Sequence, residues 1–290
     1  MFDLAALDAA LADTIFAGKL HFSPVTGSTN TDALAAARNA APHGSVYFAD
    51  EQRAGRGRGD HAWHSAAGEG LYVSVLLRPR IPAVRLPLVP LAAGLAAADA
   101  IRSVAGLTVD LRWPNDLLLS TPQSETSPFT PASKDRSPGA PKPWGPRFGP
   151  RKAGGILVET HTEGSTVAFA VAGIGINVHQ RHFAPDLATP ATSLDLEAKR
   201  RVSRQDLLVA LLKSLERETL GLLDPATGET ILRRVEQAST WVRGRQVEVH
   251  GPQACTGVTA GLDQNGFLLV RTAGGVVTVQ TGGIRAVEIG

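Results

Sequence analysis

Cysteine is nearly absent from this 290-residue sequence: Cys255 stands alone, so no disulfide can form within the chain. Neither a second cysteine nor a histidine lies beside it at the spacing of a metal site, which argues against structural zinc and against a catalytic thiol. Since disulfides accumulate in oxidising compartments, we expect a reducing location, the cytoplasm.

The sequence also lacks a strong excess of either charge. It has 29 lysines and arginines against 27 aspartates and glutamates, a formal net charge of +2. That balance gives little support for a chain built mainly to bind nucleic acid. Hydrophobic residues make up 43% and charged residues 19%, as in ordinary globular proteins, and the length suffices for one large or two modest domains.

A secretory signal and a membrane span are not indicated either. The first sixteen residues carry three aspartates and no basic start. The longest apolar stretch, residues 84–106, is interrupted by two prolines, an aspartate and an arginine. It is typical of a buried helix, so we expect no membrane association.

Hydrophobic periodicity predicts an α+β fold with a mostly antiparallel or mixed sheet, because several strands precede several helices without strict alternation. A hairpin is predicted around Glu163 and Gly164, and helices are predicted at 2–16, after residue 31, near 84–106, at 203–222 and at 228–239. Short β runs after residue 241 predict a small antiparallel barrel. The predicted domains are therefore 1–241 and 242–290.

Residues 120–150 break this pattern. They hold 8 of the 19 prolines and show no periodicity, which predicts a disordered surface insertion between two strands.

Residues 51–59, "EQRAGRGRG", interleave three arginines with three glycines. Glycine lets the backbone approach an anion closely, and arginine offers forked donors to phosphate. A disordered nucleic-acid-binding tract is the alternative. Because the stretch is brief, lies between two predicted strands and is followed by Trp63, we favour a ligand-binding loop.

Four other segments have both a structural and a chemical interpretation. "GSTN" at 27–30 can cap a helix or bind a polar ligand head. "RWPND" at 112–116 can be a β-turn or can offer a carboxylate to a metal or amine. Lys152 in "RKAGGILVE" can protect a sheet edge or face a phosphate. "GIGIN" at 173–177 superficially suggests a nucleotide-binding loop, but no helix is predicted after it and the GxGxxG pattern is not met, so it can simply mark a bulge or close backbone packing.

In this order the segments resemble the biotin–protein ligases closely. The resemblance covers about residues 22–290 except the insertion, and rests on six motifs: "STN" at 28–30, "Q-x-x-GRGR" at 52–58, "W-x-S-x-x-G-x-x-L-x-x-S" at 63–74, "WPND" at 113–116, "K-x-x-GIL-x-E" at 152–159 and "G-x-G-x-N" at 173–177. It implies an α+β catalytic domain with a mixed sheet, followed by an SH3-like barrel.

The resemblance also implies the chemistry: Mg·ATP adenylates biotin, and the biotinyl group then passes to one lysine of a biotin carboxyl carrier domain. It implies catalytic roles for Arg56, Arg58, Asp116 and Lys152, with Asp116 as a possible Mg²⁺ ligand. The implied biotin-binding residues are Ser28, Thr29, Asn30, Gln52, Arg56, Gly57, Arg58, Lys152 and Gly155. The implied adenylate- or ATP-binding residues are Arg56, Arg58, Trp63, Asn115, Lys152, Gly173, Gly175 and Asn177.

The sequence departs from the family pattern in three ways. Arg112 stands before "WPND" where lysine is frequent, the insertion separates two active-site strands, and we expect no N-terminal DNA-binding domain. We therefore expect no specific DNA binding, and either a monomer or a homodimer. A lipoate or octanoate ligase is the second hypothesis, although no "RRxxGGG" stretch is present. A nucleic-acid-binding protein is the third.

Overall fold

The computed structural model describes residues 2–59, 61–79, 81–120, 149–223 and 225–287. Its larger sheet has seven strands in the order β1-β2-β3-β7-β6-β5-β4. β1 and β2 run parallel, and every other ladder described in this sheet is antiparallel, so the predicted mixed sheet is confirmed. The strands are β1 Leu20–Thr26, β2 Val46–Gln52, β3 Gly70–Leu77, β4 Val109–Arg112, β5 Asp116–Leu119, β6 Arg151–Glu163 and β7 Thr166–Asn177.

Five of the six α-helices described were predicted in this order, with shifted ends, and the short helix at 194–198 was not predicted. The helices are α1 Leu4–Ala10, α2 Thr29–Arg38, α3 Leu88–Ala105, α4 Leu194–Ala198, α5 Arg204–Leu223 and α6 Pro225–Gln237. α1 ends six residues before the predicted end, at a stretch of turns. α2 begins at Thr29, directly after Ser28, so the "STN" residues belong to the helix start. Ser28 occupies the N-cap position, but its side chain makes no capping hydrogen bond.

α3 is the buried helix that the sequence predicted. It packs beneath β4 and β6, where Gly94 faces Leu111 and Ile156. Residues 83–105 are long and apolar enough to cross a membrane, but 61% of the most apolar window is buried inside the protein. Length and composition alone are weak evidence for a span, because the core helix of a globular protein meets the same test.

The β6–β7 hairpin turns at Gly164, as predicted, and defines the two faces of the sheet. Side chains alternate along a strand, so Ile156 points toward α3 while Gly155 and Leu157 point to the opposite face. The opposite face carries the candidate site.

Residues 243–286 form a second, five-stranded antiparallel sheet in the order β11-β10-β9-β8-β12. Its strands are β8 Arg243–His250, β9 Cys255–Leu262, β10 Leu268–Thr272, β11 Gly275–Val279 and β12 Gly283–Ala286. Trp113 Nε1 donates to the Gly266 carbonyl at 3.1 Å, which ties this sheet to the β4–β5 turn. The sheet fits the predicted C-terminal β region; SH3-like closure and the domain boundary near residue 241 stay predictions.

The proline-rich segment lies mostly outside the described residues. The strands that it joins, β5 and β6, pair directly at its two ends, where Leu119 faces Arg151. The interruption therefore falls between two adjacent strands, as expected.

Candidate active site

A cavity of about 920 Å³ opens over the free face of the seven-stranded sheet. Its volume lies in the range typical of small-molecule sites. Every residue assigned a site role from the sequence lines this cavity: Ser28, Thr29, Asn30, Gln52, Arg56, Gly57, Arg58, Trp63, Asn115, Asp116, Lys152, Gly155, Gly173, Gly175 and Asn177. The fold thus brings together segments that are up to about 150 residues apart in the chain.

One end of the cavity is a polar corner where α2 meets β2 and β3. Gln52 Oε1 accepts from the Thr29 backbone N–H at 2.9 Å and lies 3.0 Å from Thr29 Oγ1. Gln52 Nε2 donates to Ser65 Oγ at 2.8 Å. Ser74, which is fully buried, lies 2.8 Å from Thr29 Oγ1 and donates to Asn30 Oδ1 at 2.6 Å. These contacts fix four polar side chains at the cavity wall before any ligand binds.

The glycine/arginine loop, described at residues 53–59 and 61–64, folds back on itself over the cavity. Gly57 N donates to the His61 carbonyl at 2.7 Å, and Trp63 N donates to the Gly55 carbonyl at 2.8 Å. Gly55 leaves no space for a side chain, because an added Cβ would lie 2.4 Å from the Trp63 carbonyl oxygen. The loop therefore has a defined fold, in contrast to the disordered tract considered as its alternative.

Two of the three arginines of this loop, Arg56 and Arg58, point to different partners. Arg56 donates to Glu159 on β6 at 2.6 Å, while Arg58 donates at 2.7 Å to the carbonyl of Gly282, the residue just before β12 of the second sheet. Burial lowers the pKa of Arg58, and the charge of Asp116 opposes that shift. Arg58 thus joins the loop to the C-terminal sheet across the mouth of the cavity.

Three glycines form the floor of the site. A Cβ on Gly173 would lie 2.0 Å from Asn30 Oδ1, and a Cβ on Gly175 would lie 2.6 Å from Trp63 Nε1. A Cβ on Gly155 would lie 3.3–3.5 Å from the Lys152 side chain and the Trp63 ring. Close packing, one of the interpretations of "GIGIN", is therefore correct, and a bulge there is wrong because β7 pairs regularly from Gly173 to Asn177.

Lys152 reaches the cavity because of a β-bulge. Leu117 pairs with Gly154 but Leu118 pairs with Lys152, so Ala153 is an extra residue in β6. The extra residue turns Lys152 to the same face as Asp116 and Gly155. β6 lies between β5 and β7, so the interpretation of Lys152 as an edge-protecting residue is wrong.

Lys152, Asp116 and Arg112 form a compact charge cluster. Asp116 Oδ1 lies 2.6 Å from Lys152 Nζ, and Asp116 Oδ2 accepts two hydrogen bonds from the Arg112 guanidinium, at 3.1 and 2.5 Å. Burial alone would raise the pKa of Asp116, but the charges and hydrogen bonds of Lys152 and Arg112 outweigh burial and hold it below its ordinary value. The cluster therefore carries a net positive charge toward the cavity.

Both carboxylate oxygens of Asp116 already bind cations, which disfavours a metal ion at this carboxylate. Within the described ranges, no group of three or more histidine, cysteine, aspartate or glutamate residues is arranged to hold a metal. Direct Mg²⁺ binding by Asp116 stays a prediction that this geometry does not favour. Magnesium prefers phosphate and water oxygens, so the residues present are better suited to receive it already bound to a nucleotide.

Two asparagines at the cavity serve partly to hold the backbone. Asn115 Nδ2 donates to the Ile156 carbonyl at 3.1 Å, which fixes the β4–β5 turn against β6. Asn177 Nδ2 donates to the Thr192 carbonyl at 3.1 Å. Their side-chain N–H groups are thus partly committed to structural contacts.

Sequence reasoning missed several residues of the site. Ser74 and Glu159 complete the polar corner. Both lie inside motifs that the sequence analysis recognised, but no site role was assigned to either residue. Residues 180–191 and 281–285 supply further walls. No local pattern marks those segments, since tertiary folding alone brings them to the cavity.

Comparison with known proteins agrees with the motifs. A family model described as the biotin/lipoate A/B protein ligase family matches residues 22–177. The chain is 30% identical over 265 residues to the biotin–[acetyl-CoA-carboxylase] ligase of Mycobacterium tuberculosis, covering 89% of this chain and 85% of that protein. It is 29% identical over 268 residues to the bifunctional ligase/repressor BirA of Bacillus subtilis, covering 91% and 73%.

The fold is also that of solved ligases. Biotin protein ligase from Aquifex aeolicus, in complex with biotin and ATP, superposes with a TM-score of 0.69 at 24% identity, covering 93% of this chain and 100% of that one. The Leishmania major enzyme, in complex with biotinyl-5-AMP, superposes with a TM-score of 0.55 at 22% identity, covering 91% and 99%. The family model, which covers more than half of the chain, and the named ligases among its relatives together show that this chain is a ligase and belongs to the biotin/lipoate A/B protein ligase family.

Proposed function

We propose that this chain uses ATP to activate biotin as biotinyl-5′-AMP and then transfers biotin to a lysine of a biotin carboxyl carrier domain. The observation that carries the proposal is one cavity with a hydrogen-bonding corner and three cations, Arg56, Arg58 and Lys152. Biotin pairs a polar ring with an acid-bearing tail, so it needs both kinds of group. A lipoate ring has no comparable hydrogen-bonding groups, and the corner at Thr29 and Gln52 therefore favours biotin.

In the first step, a biotin carboxylate oxygen would attack the α-phosphorus of ATP, and pyrophosphate would leave. Both reactants are negatively charged, so their approach costs electrostatic free energy. Lys152 and the two loop arginines supply positive charge where that repulsion arises. Removing one preorganised donor of this kind typically costs about 2.7–4 kcal/mol in the transition state.

In the second step, the carrier lysine's neutral amine would attack the acyl carbon and release AMP. The amide forms, and the amine loses a proton. We assign Asp116 to holding Lys152, since one of its oxygens contacts Lys152 Nζ at 2.6 Å. Direct contact of Asp116 with the incoming amine would require an existing ion pair to open.

The test is incubation of the protein with biotin, ATP, Mg²⁺ and a carrier domain, followed by intact mass measurement of the carrier. We expect a gain of one biotinyl group, and none on a carrier whose acceptor lysine is replaced by arginine. Lys152→Ala should lower the rate of adenylate formation by about a hundredfold or more. Lys213→Ala, which removes an exposed lysine of α5, is the matched control.

A carrier that gains no mass would contradict the proposal. Competition between biotin and lipoate in calorimetry separates the two branches of the family, because preferential lipoate binding would transfer the assignment to the lipoate branch. Mg²⁺ is expected to enter with the nucleotide, so omission of Mg²⁺ should stop the first step.

The proposal includes a cytoplasmic location, in agreement with the single cysteine. Recovery of the chain from a secreted fraction after cell fractionation would contradict it.

A further inference from the structure

Glu159 joins two parts of the site that the proposed chemistry uses separately. Its Oε2 accepts from Asn30 Nδ2 at 2.8 Å and from Arg56 Nη2 at 2.6 Å. Asn30 belongs to the polar corner and Arg56 to the glycine/arginine loop. One carboxylate oxygen therefore connects the two, although the chemistry described above gives Glu159 no task.

Glu159 determines which way the Asn30 amide points. An ionised carboxylate can only accept hydrogen bonds, so the nitrogen of the amide must face Glu159 and the oxygen must face Ser74. The reverse orientation would place the amide oxygen against a negative charge. Asn30 is only 4% exposed, and the absence of a side chain at Gly173 leaves space for the Asn30 amide oxygen. The buried amide is therefore held in this one orientation.

The orientation of the Asn30 amide in turn determines which acceptors the hydroxyl protons of the polar corner point to. The single hydroxyl proton of Ser74 is used on Asn30 Oδ1, so Ser74 has no proton to donate to Thr29. The Thr29 hydroxyl proton is itself used inside the corner, on Gln52 Oε1 at 3.0 Å or on Ser74 Oγ at 2.8 Å. The Thr29 oxygen is thereby left as a hydrogen-bond acceptor, suited to a ligand head that donates N–H groups.

We propose that Glu159 is a positioning residue that acts at both ends of the site: it aims the Arg56 guanidinium and fixes Thr29 as an acceptor. The inference rests on the proposed function and extends it, since it states how the two ends of the ligand are prepared together. Arg56 is 45% exposed and Glu159 is 26% exposed, so their ion pair is not a major source of stability. Its effect should appear in ligand binding and turnover.

The test compares Glu159→Gln with Glu51→Gln. Both variants remove one negative charge close to the loop, but Glu51 pairs with the exposed Arg53 at 3.6 Å and contacts neither Asn30 nor Arg56. The amide introduced by Glu159→Gln can present either an oxygen or a nitrogen to Asn30, so the orientation of Asn30 then depends on the longer contact of its Nδ2 with the Leu157 carbonyl, at 3.4 Å. We expect Glu159→Gln to raise the biotin KM and to lower kcat, each by about tenfold, while Glu51→Gln changes both by less than about twofold.

Two further variants separate positioning from general damage. Glu159→Asp keeps the charge and should recover part of the lost rate. If Glu159 acts on turnover through Arg56, the kcat of the double variant carrying Arg56→Ala and Glu159→Gln should match that of Arg56→Ala alone. Wild-type kinetics in Glu159→Gln, a faster kcat, or fully additive effects on kcat would each overturn the proposal.

A readout without ligand keeps this inference separate from the proposed function. Trypsin can cut after Arg53 and Arg56, and in Glu159→Gln cleavage after Arg56 should rise at least about threefold relative to cleavage after Arg53. Glu51→Gln should leave the ratio unchanged. If the wild-type protein adenylates no biotin, the proposed function fails, and an unchanged cleavage ratio in Glu159→Gln would overturn the role of Glu159 independently.

Discussion

A single methyl group added at Gly173 should damage both stability and ligand binding. The Cβ of an alanine there would lie 2.0 Å from Asn30 Oδ1, whereas real Cβ atoms essentially never approach closer than 3.0 Å. The amide must therefore withdraw by about 1 Å or more. That movement pulls Asn30 away from Ser74, which donates to it at 2.6 Å, and from Glu159, which accepts from it at 2.8 Å.

The expected cost follows from those contacts. Overpacking of a close-packed site typically costs about 1–3 kcal/mol, and a buried polar group left without its partner costs about 1–3 kcal/mol. Partial relaxation offsets some of this, so we expect Gly173→Ala to lower the free energy of unfolding by about 2–4 kcal/mol. Biotin should bind at least about tenfold more weakly, since about 1.4 kcal/mol of lost contacts at the corner is enough for that change.

Urea denaturation and biotin calorimetry measure these two effects. Gly94→Ala is the matched control: its Cβ would meet Ile156 and Leu111 at an ordinary 3.6 Å, within α3. Because alanine is the better helix former, this variant should be more stable than wild type by about 0.5–1 kcal/mol. A Gly173→Ala protein within about 0.5 kcal/mol of wild type, with unchanged biotin affinity, would refute the steric argument.

Two further predictions concern titrating groups. Asp116→Asn leaves Lys152 and Arg112 without their shared counter-charge and should destabilise the protein by about 3 kcal/mol, measured by urea denaturation at pH 7. The pKa of Asp116 is held below its ordinary value of 3.8, so the ionised carboxylate stabilises the fold fully above that value, and this stabilisation is lost as pH falls through the lower folded-state pKa. The free energy of unfolding of Asp116→Asn should therefore vary less with pH in that range than that of wild type. Equal dependence on pH in the two proteins would contradict this expectation. His43 accepts from the Arg78 backbone N–H at 3.0 Å, and burial, then the charges of Lys19 and Arg78, lower its pKa below 6.5. Neutral His43 therefore contributes fully to the free energy of unfolding above pH 6.5, and this contribution is lost as pH falls through the folded-state pKa of His43. His43→Asn, which retains an acceptor, should lose less stability than wild type between about pH 7.5 and 5.5; equal thermal shifts would contradict that expectation.

Local patterns were sufficient for much of the framework. The two β-rich runs around Gly164 predicted the β6–β7 hairpin, and the start of α5 shows a local capping pattern, with Ser203 Oγ accepting from the Asp206 backbone N–H at 3.2 Å. The end of α1 was misplaced because apolar residues continue at helical spacing through turns that follow Ala10. Local periodicity does not distinguish those cases.

The site was predictable as a set of residues but not as a network. Motif order identified fifteen of the lining residues, yet nothing local indicates that Arg58 reaches the Gly282 carbonyl, 224 positions away in the chain. Ser74 stands in a wholly buried strand, where one small polar residue resembles a tolerated core position. Its role appears only when α2 places Thr29 and Asn30 against it.

The extra residue at Ala153 has a consequence for how the lysine motif should be understood and engineered. In an unbroken strand, positions 152 and 155 would face opposite sides, so two-residue alternation would point the ammonium away from the glycine floor. The two residues between Lys152 and Gly155 therefore matter for the β-bulge that they form as well as for their number. A graft of this segment into another sheet would deliver the positive charge only if the recipient strand accommodated the same irregularity.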